Sequence, residues 1–187
     1  AKRIIYLFQS GGPSQMDLFD HKPALNNLRA TELPDSIRQG QRLTGMTATQ
    51  ESFPIAPSIF QFTRHGRSGA WVSELMPHTA KIVDRLCFIK SMHTEGVAHG
   101  PSTLFMHTGA TNLIRPSVGS WVTYGLGTEN HNLPGFVTLQ PSSSKGGPRN
   151  YSNAFLPAIY QGTAIGKAGQ PASEATLRNA VNPSLSH

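Results

Sequence analysis

Apolar residues in this chain gather in short blocks separated by glycine, proline and small polar residues. The first block, Ile4-Ile5-Tyr6-Leu7-Phe8, is fully apolar and breaks at Gln9-Ser10-Gly11-Gly12-Pro13. A continuous apolar run that stops at glycines reads as a buried central strand. Ser14 to Asp20 reads as a loop or a helix start, ended by His21-Lys22-Pro23. Residues 31–61 hold many turn residues and no sustained period, which predicts a long irregular excursion. After the loop Arg64-His65-Gly66-Arg67-Ser68-Gly69, residues Trp71, Val72, Leu75, Met76, Ile82, Val83 and Leu86 recur at near-helical spacing. That spacing predicts an amphipathic helix kinked or divided by Pro77. Cys87 to Met92 reads as a second strand. Pro101 to His107 reads as a helix closed by Thr108-Gly109. Val118 to Leu126 reads as a second short helix, and Gly135 to Leu139 as a third strand. Strand, helix, strand, helix, strand in this order predicts an α/β fold with parallel strands.

The length of 187 residues allows one domain with a sizeable core over residues 1–187. The 18 glycines and 14 prolines mean much loop. Pro141 to Asn150, PSSSKGGPRN, is a flexible loop by composition. Beyond it the periodic signals fade, and residues 162–187 do not read as the closing part of a finished domain. A charged fraction of 14% excludes a disordered polyelectrolyte. The formal charge is +6, but lysine and arginine are scattered and no aromatic-basic module is present, so no nucleic-acid partner is expected. A positive field that draws small anions fits better. The single cysteine, Cys87, stands in an apolar run and reads as a buried structural thiol. No stretch is long enough to span a membrane. No signal peptide is visible in the opening AKRIIYLF; one removed before residue 1 would leave no trace.

The candidate chemistry lies in two places. In HGPSTLFMHTG, residues 99–109, the Gly-Pro step presets a helix start after Gly100. That aims His99 and the first-turn amides, with Ser102, at a common point, and a helix N-terminus receives anions. His93, just after the second predicted strand, and His107 accompany His99, and imidazole suits both metal binding and proton transfer. Glu95 could orient His93. The second place is the exit from the first strand. There Gly11, Gly12 and Ser14 allow close backbone approach to a ligand beyond a strand end. Asp17 and Asp20 share a face if the segment is helical, and carboxylates suit a divalent cation. The plainer reading of this set is a Gly-Pro turn with capping aspartates, and no GK[ST] or HExxH motif strengthens it. Arg64-His65-Gly66-Arg67 reads as an anion clamp or, more simply, as a solvated loop. Trp71 and Trp121 fall in apolar-periodic segments and read as core.

HGPSTLFMHTG resembles the sulfatase signature, in which a modified cysteine or serine is followed by x-Pro-Ser-Arg and, after an apolar run, Thr-Gly. Pro101, Ser102, Thr108 and Gly109 match at that spacing. His99 stands at the nucleophile position and Thr103 at the arginine, which puts a formylglycine mechanism out of reach. GGPSQMDLFDHKP, IKSMHTEGVAHG, MHTG and PSVGSWVTYGLGTENHNLPGFVTL are together similar to a large, exported, sulfatase-like bacterial family, a domain-of-unknown-function group in the alkaline phosphatase superfamily. The resemblance covers most of residues 2–165.

The resemblance implies a mixed, largely parallel sheet with helices on both faces, of which this chain is the N-terminal portion. It also implies a twin-arginine signal and a periplasmic or extracellular location. It implies a metal-dependent hydrolase of sulfate or phosphate esters, with a small anionic ester, such as a sulfated carbohydrate, as substrate. By position, Asp17, Asp20 and His99 become ligands of a zinc, calcium or magnesium ion, and further ligands come from a C-terminal half. The ion would polarise an ester oxygen. His99 is a ligand or general acid/base before it is a nucleophile, and Ser102 is the hydroxyl alternative. Gln9, Ser10, His99 and Thr103 depart from the sulfatase pattern. Those departures keep open a non-catalytic binding or surface protein on the same fold.

Overall fold

The computed structural model describes residues 2–38, 40–41, 45–92, 94, 96–129 and 132–177. The chain divides into two compact units, Ala1–His93 and Thr94–His187.

The first unit is organised by one hairpin. Strand β1 (Phe62–His65) pairs antiparallel with β2 (Ala70–Ser73), which puts Thr63 opposite Val72 and Arg64 opposite Trp71. Gly66 opens the connecting turn at φ +65°, and a Cβ there would stand 2.5 Å from Asp84 Oδ1 and 2.7 Å from a Val83 methyl. Only glycine meets both demands. Asp84 holds the turn from the other side. Its carboxylate accepts the backbone N–H of Arg67 at 2.9 Å and of Ser68 at 3.0 Å. These two bonds hold the Asp84 carboxyl below the usual carboxylate range. Asp84 belongs to a 3-10 turn, Val83–Arg85, that follows the one-turn helix α3 (Pro77–Ala80). Val72, Ala80 and Val83 form the buried core, with Phe19, Ala70, Met76 and Phe88 packed against them. Two further one-turn helices, α1 (Gln15–Leu18) and α2 (Asp35–Arg38), lie earlier in the chain. The irregular excursion is fastened by Ala30 N–H to Ile55 O and Ile55 N–H to Thr31 O, both at 2.9 Å.

The helix expected over Trp71–Leu86 is therefore replaced by a strand, a helical turn and a 3-10 turn. Aromatic and β-branched residues behind a glycine turn pair as a strand. Pro77 starts α3, where its missing N–H would have had no helical partner. The two expected strands of this unit also differ from their reading. Residues 2–9 form no ladder, and Ile5 and Leu7 are 83% and 85% exposed. Residues 86–92 form none either. An apolar run becomes a strand only where another strand bonds it, and none of the described residues does so. Phe88 turns inward onto Phe19, with ring centroids 5.0 Å apart. Its neighbour Cys87, expected to be buried, is consequently exposed.

In the second unit, helix α4 (His99–Thr108) packs against a 3-10 turn, Gly147–Tyr151. The helix begins two residues before the predicted Pro101. Proline is tolerated there because no first-turn N–H has a helical acceptor. Leu104 and Thr103 are buried, and the Thr108 hydroxyl donates to Leu104 O at 2.8 Å. Helix α5 (Val118–Leu126) is anchored by polar groups. Ser117 and Ser120 are fully buried, with hydroxyls 3.0 Å apart. The Ser120 hydroxyl donates to Ser152 O at 3.0 Å, and the Ser117 N–H reaches the same carbonyl at 2.9 Å. Buried hydroxyls paired in this way cost little, whereas a broken partner costs much. Gly119 lies against the ring of Phe136, where any Cβ would overlap it. Phe136 leads into β3 (Val137–Leu139), which pairs in parallel with β4 (Thr163–Ile165). Loop 141–150 has internal hydrogen bonds, among them Asn150 Nδ2 to Lys145 O at 2.7 Å.

The fold is thus mixed α/β with small sheets, one antiparallel pair and one parallel pair, among the described residues. Of the three expected strands, the one at Gly135–Leu139 forms, over Val137–Leu139, and it is parallel to its partner. Among the described residues no helix is long and apolar enough to cross a membrane.

Gly66→Ala is expected to lower stability by about 1–2 kcal/mol from the left-handed backbone alone, with a further loss from contact with Asp84. Urea unfolding measures it, and an unchanged midpoint would show that the turn does not hold the unit. Asp84 contributes stability in full above its unfolded pKa of 3.8 and loses it as pH falls through the lower folded value. Asp84→Asn should therefore remove part of the acid-side slope of unfolding against pH.

Candidate functional site

Gly11 and Gly12 both adopt positive φ, +101° and +68°, and lead through Pro13 into α1. Ser14 occupies the N-cap position of α1 but makes no side-chain cap bond. Its carbonyl accepts the Asp17 N–H at 3.1 Å. Asp17 is the third residue of α1, and Asp20 follows two residues after the helix ends; both are half-buried. The glycine exit, Ser14 and the two carboxylates lie on one short segment, but α1 ends at Leu18, so Asp17 and Asp20 do not share a helical face. Asp20 is committed, however. Its carboxylate holds Lys22 Nζ at 3.0 Å and is 16% exposed.

The second set belongs to α4. His99 is its first residue and is exposed. Ser102 lies one turn on, half-buried, with its N–H on Ala98 O at 3.0 Å. Gly96 packs so tightly over Ser102 that a Cβ would overlap the hydroxyl. Nothing in the sequence marked Gly96 for this contact, because its partner is a side chain six residues on whose direction only the fold fixes. His107 lies two turns along α4 from His99, and burial pushes its imidazole below the ordinary histidine range. His93, Glu95 and His131 lie outside the described residues.

The carboxylates belong to the first unit and His99 with Ser102 to the second. Among the described residues no three His, Cys, Asp or Glu side chains gather as metal ligands. A divalent ion takes four or more ligands. Asp17 and a lysine-paired Asp20 do not by themselves fit one.

The basic hairpin turn has a definite role. Its amides do bind an anion, but that anion is the chain's own Asp84 carboxylate. Arg64 lies over the Trp71 ring at 5.0 Å, and Arg67 Nε is 3.9 Å from Asp84. His21, which the sequence did not single out, stacks on Phe62 at 4.7 Å and meets Trp71 at 4.5 Å. Trp121 was expected in the core. It is 45% exposed and makes edge contacts with Tyr124 and Phe155.

A family model described as "Protein of unknown function (DUF1501)" matches residues 1–186. No curated protein and no solved structure matches the chain.

The half-buried imidazole generates a pH prediction. The fold favours neutral His107, so its contribution is complete above the unfolded pKa of 6.5 and is lost as pH falls toward the lower folded value. NMR titration should find the His107 ring protonating below the ordinary range. His107→Gln should flatten the stability profile over the same interval.

Proposed function

We propose, from the premise that this chain belongs to the DUF1501 family, that it forms part of a hydrolase of sulfate or phosphate esters whose substrate is a small anionic ester such as a sulfated carbohydrate. One observation carries the reading. His99 and Ser102 occupy the first turn of a ten-residue helix, at the positions that correspond to the nucleophile and the serine of a sulfatase signature. The positive end of the helix dipole favours an oxyanion there. An exposed imidazole at that end can take a proton from an attacking water or return one to the leaving oxygen. The Ser102 hydroxyl is the alternative nucleophile. Gly11, Gly12 and Ser14 supply a second place where backbone can approach an anion. A divalent ion enters this reading only with ligands beyond Asp17 and Asp20, and no step is assigned to one. The resemblance of HGPSTLFMHTG to a sulfatase signature is what motivates a sulfatase-like fold for the whole protein and a periplasmic or extracellular location.

A second reading, a non-catalytic binding or surface protein, is favoured by the Asp20–Lys22 ion pair. The charge that would attract a cation is already compensated there.

Turnover of an aryl sulfate and an aryl phosphate separates the two. His99→Ala is expected to lower kcat/KM by about 10²–10⁴-fold. Unchanged turnover removes His99 from the chemistry. Absence of turnover in the unsubstituted protein, with anion binding retained, selects the binding protein.

A further inference from the structure

We propose that a cavity in the first unit binds a small organic anion built on a single ring. The cavity measures about 140 Å³ and is walled by Phe19, Phe88, Ile89 and Met92, with Gln15, Asp20 and Lys90 as its polar members. Size selects the ligand class first. An apolar cavity of about 150 Å³ admits benzene, so one six-membered ring is matched in volume to this one, which is open to solvent on the side of Ile89 and Met92. A second cavity, beside His21 and Phe62, is only about 40 Å³ and has room for no more than water.

The walls select next. The Phe19 and Phe88 rings both line the cavity, 5.0 Å apart and tilted by 41°, and aromatic walls favour an aromatic guest in offset or edge contact. Ile89 and Met92 are 65% and 70% exposed, and a bound ring would cover apolar surface that now faces water. The charges then fix the sign. Asp20 is neutralised by Lys22 at 3.0 Å. Lys90 makes no ion pair among the described residues, so it is the lining charge left without a counter-ion. An apolar ring with one anionic substituent satisfies the walls and Lys90 together. A cation meets Lys90 unfavourably, and a small inorganic anion leaves the walls wet.

The test is a titration of the whole chain followed by NMR at the amides of Phe19, Phe88 and Lys90, with benzenesulfonate, methanesulfonate and benzylammonium as probes. Benzenesulfonate is expected to bind about tenfold more tightly than either control. Ile89→Asp adds a like charge at an exposed wall position. It should bring benzenesulfonate down to the level of methanesulfonate while leaving the unfolding midpoint in place. Phe88 is unsuited to this purpose because it packs against the core. Equal affinity for benzenesulfonate and either control, or benzenesulfonate binding unaffected by Ile89→Asp, overturns the inference. Benzenesulfonate has no ester bond to cleave. Its binding can therefore fail while ester hydrolysis persists, and it can persist where hydrolysis fails.

Discussion

The first unit depends on one carboxylate. Asp84 satisfies two turn amides that would otherwise have only water, and it comes from the 3-10 turn that also places Val83 in the core. Hairpin and core are thereby set by a single contact, and Gly66 is the residue that leaves room for it. Among the described residues the buried apolar cluster here is Val72, Ala80 and Val83. With so little surface removed from water, directional polar contacts determine the geometry more than they would in a large core. The amides that read in sequence as an anion clamp are indeed an anion clamp, and its anion is internal.

The second unit solves the same problem with hydroxyls. Ser117 and Ser120 converge on the carbonyl of Ser152, which fastens α5 to the segment that returns toward β4. Close approach at Gly119 lets the Phe136 ring lie against α5 and delivers β3 into register. The result supports α4 with His99 at its start, while the deeper turns of that helix bury Leu104 and half-bury His107.

Local signals were legible in the chain, and long-range ones were not. The helices α4 and α5 and the strand β3 follow from Gly-Pro punctuation and short apolar runs, which act within a few residues. Asp17 and Asp20 lie beside the glycine exit because they are only a few residues from it. The two apolar runs at Ile4–Phe8 and Cys87–Met92 failed as strands because a strand requires a partner, and apolar content does not specify one. The apparent helix over Trp71–Leu86 failed because its spacing is also compatible with a strand followed by a proline-started turn. Asp84, His21 and Gly96 went unrecognised for a common reason. Each owes its role to a residue distant in sequence or to a side chain whose direction only the fold reveals. Cys87 and Trp121 show that apolar neighbours do not ensure burial.

The parallel pairing of β3 with β4 has a consequence for folding. The strands are separated by the whole of loop 141–150 and two 3-10 turns, so joining them closes a long ring of chain for a ladder of three residue pairs. Little enthalpy is returned for that loss of chain freedom. The Phe136 ring against Gly119 and the Ser120–Ser152 bond hold the segments leading to the two strands, which shortens the ring that the ladder itself has to close.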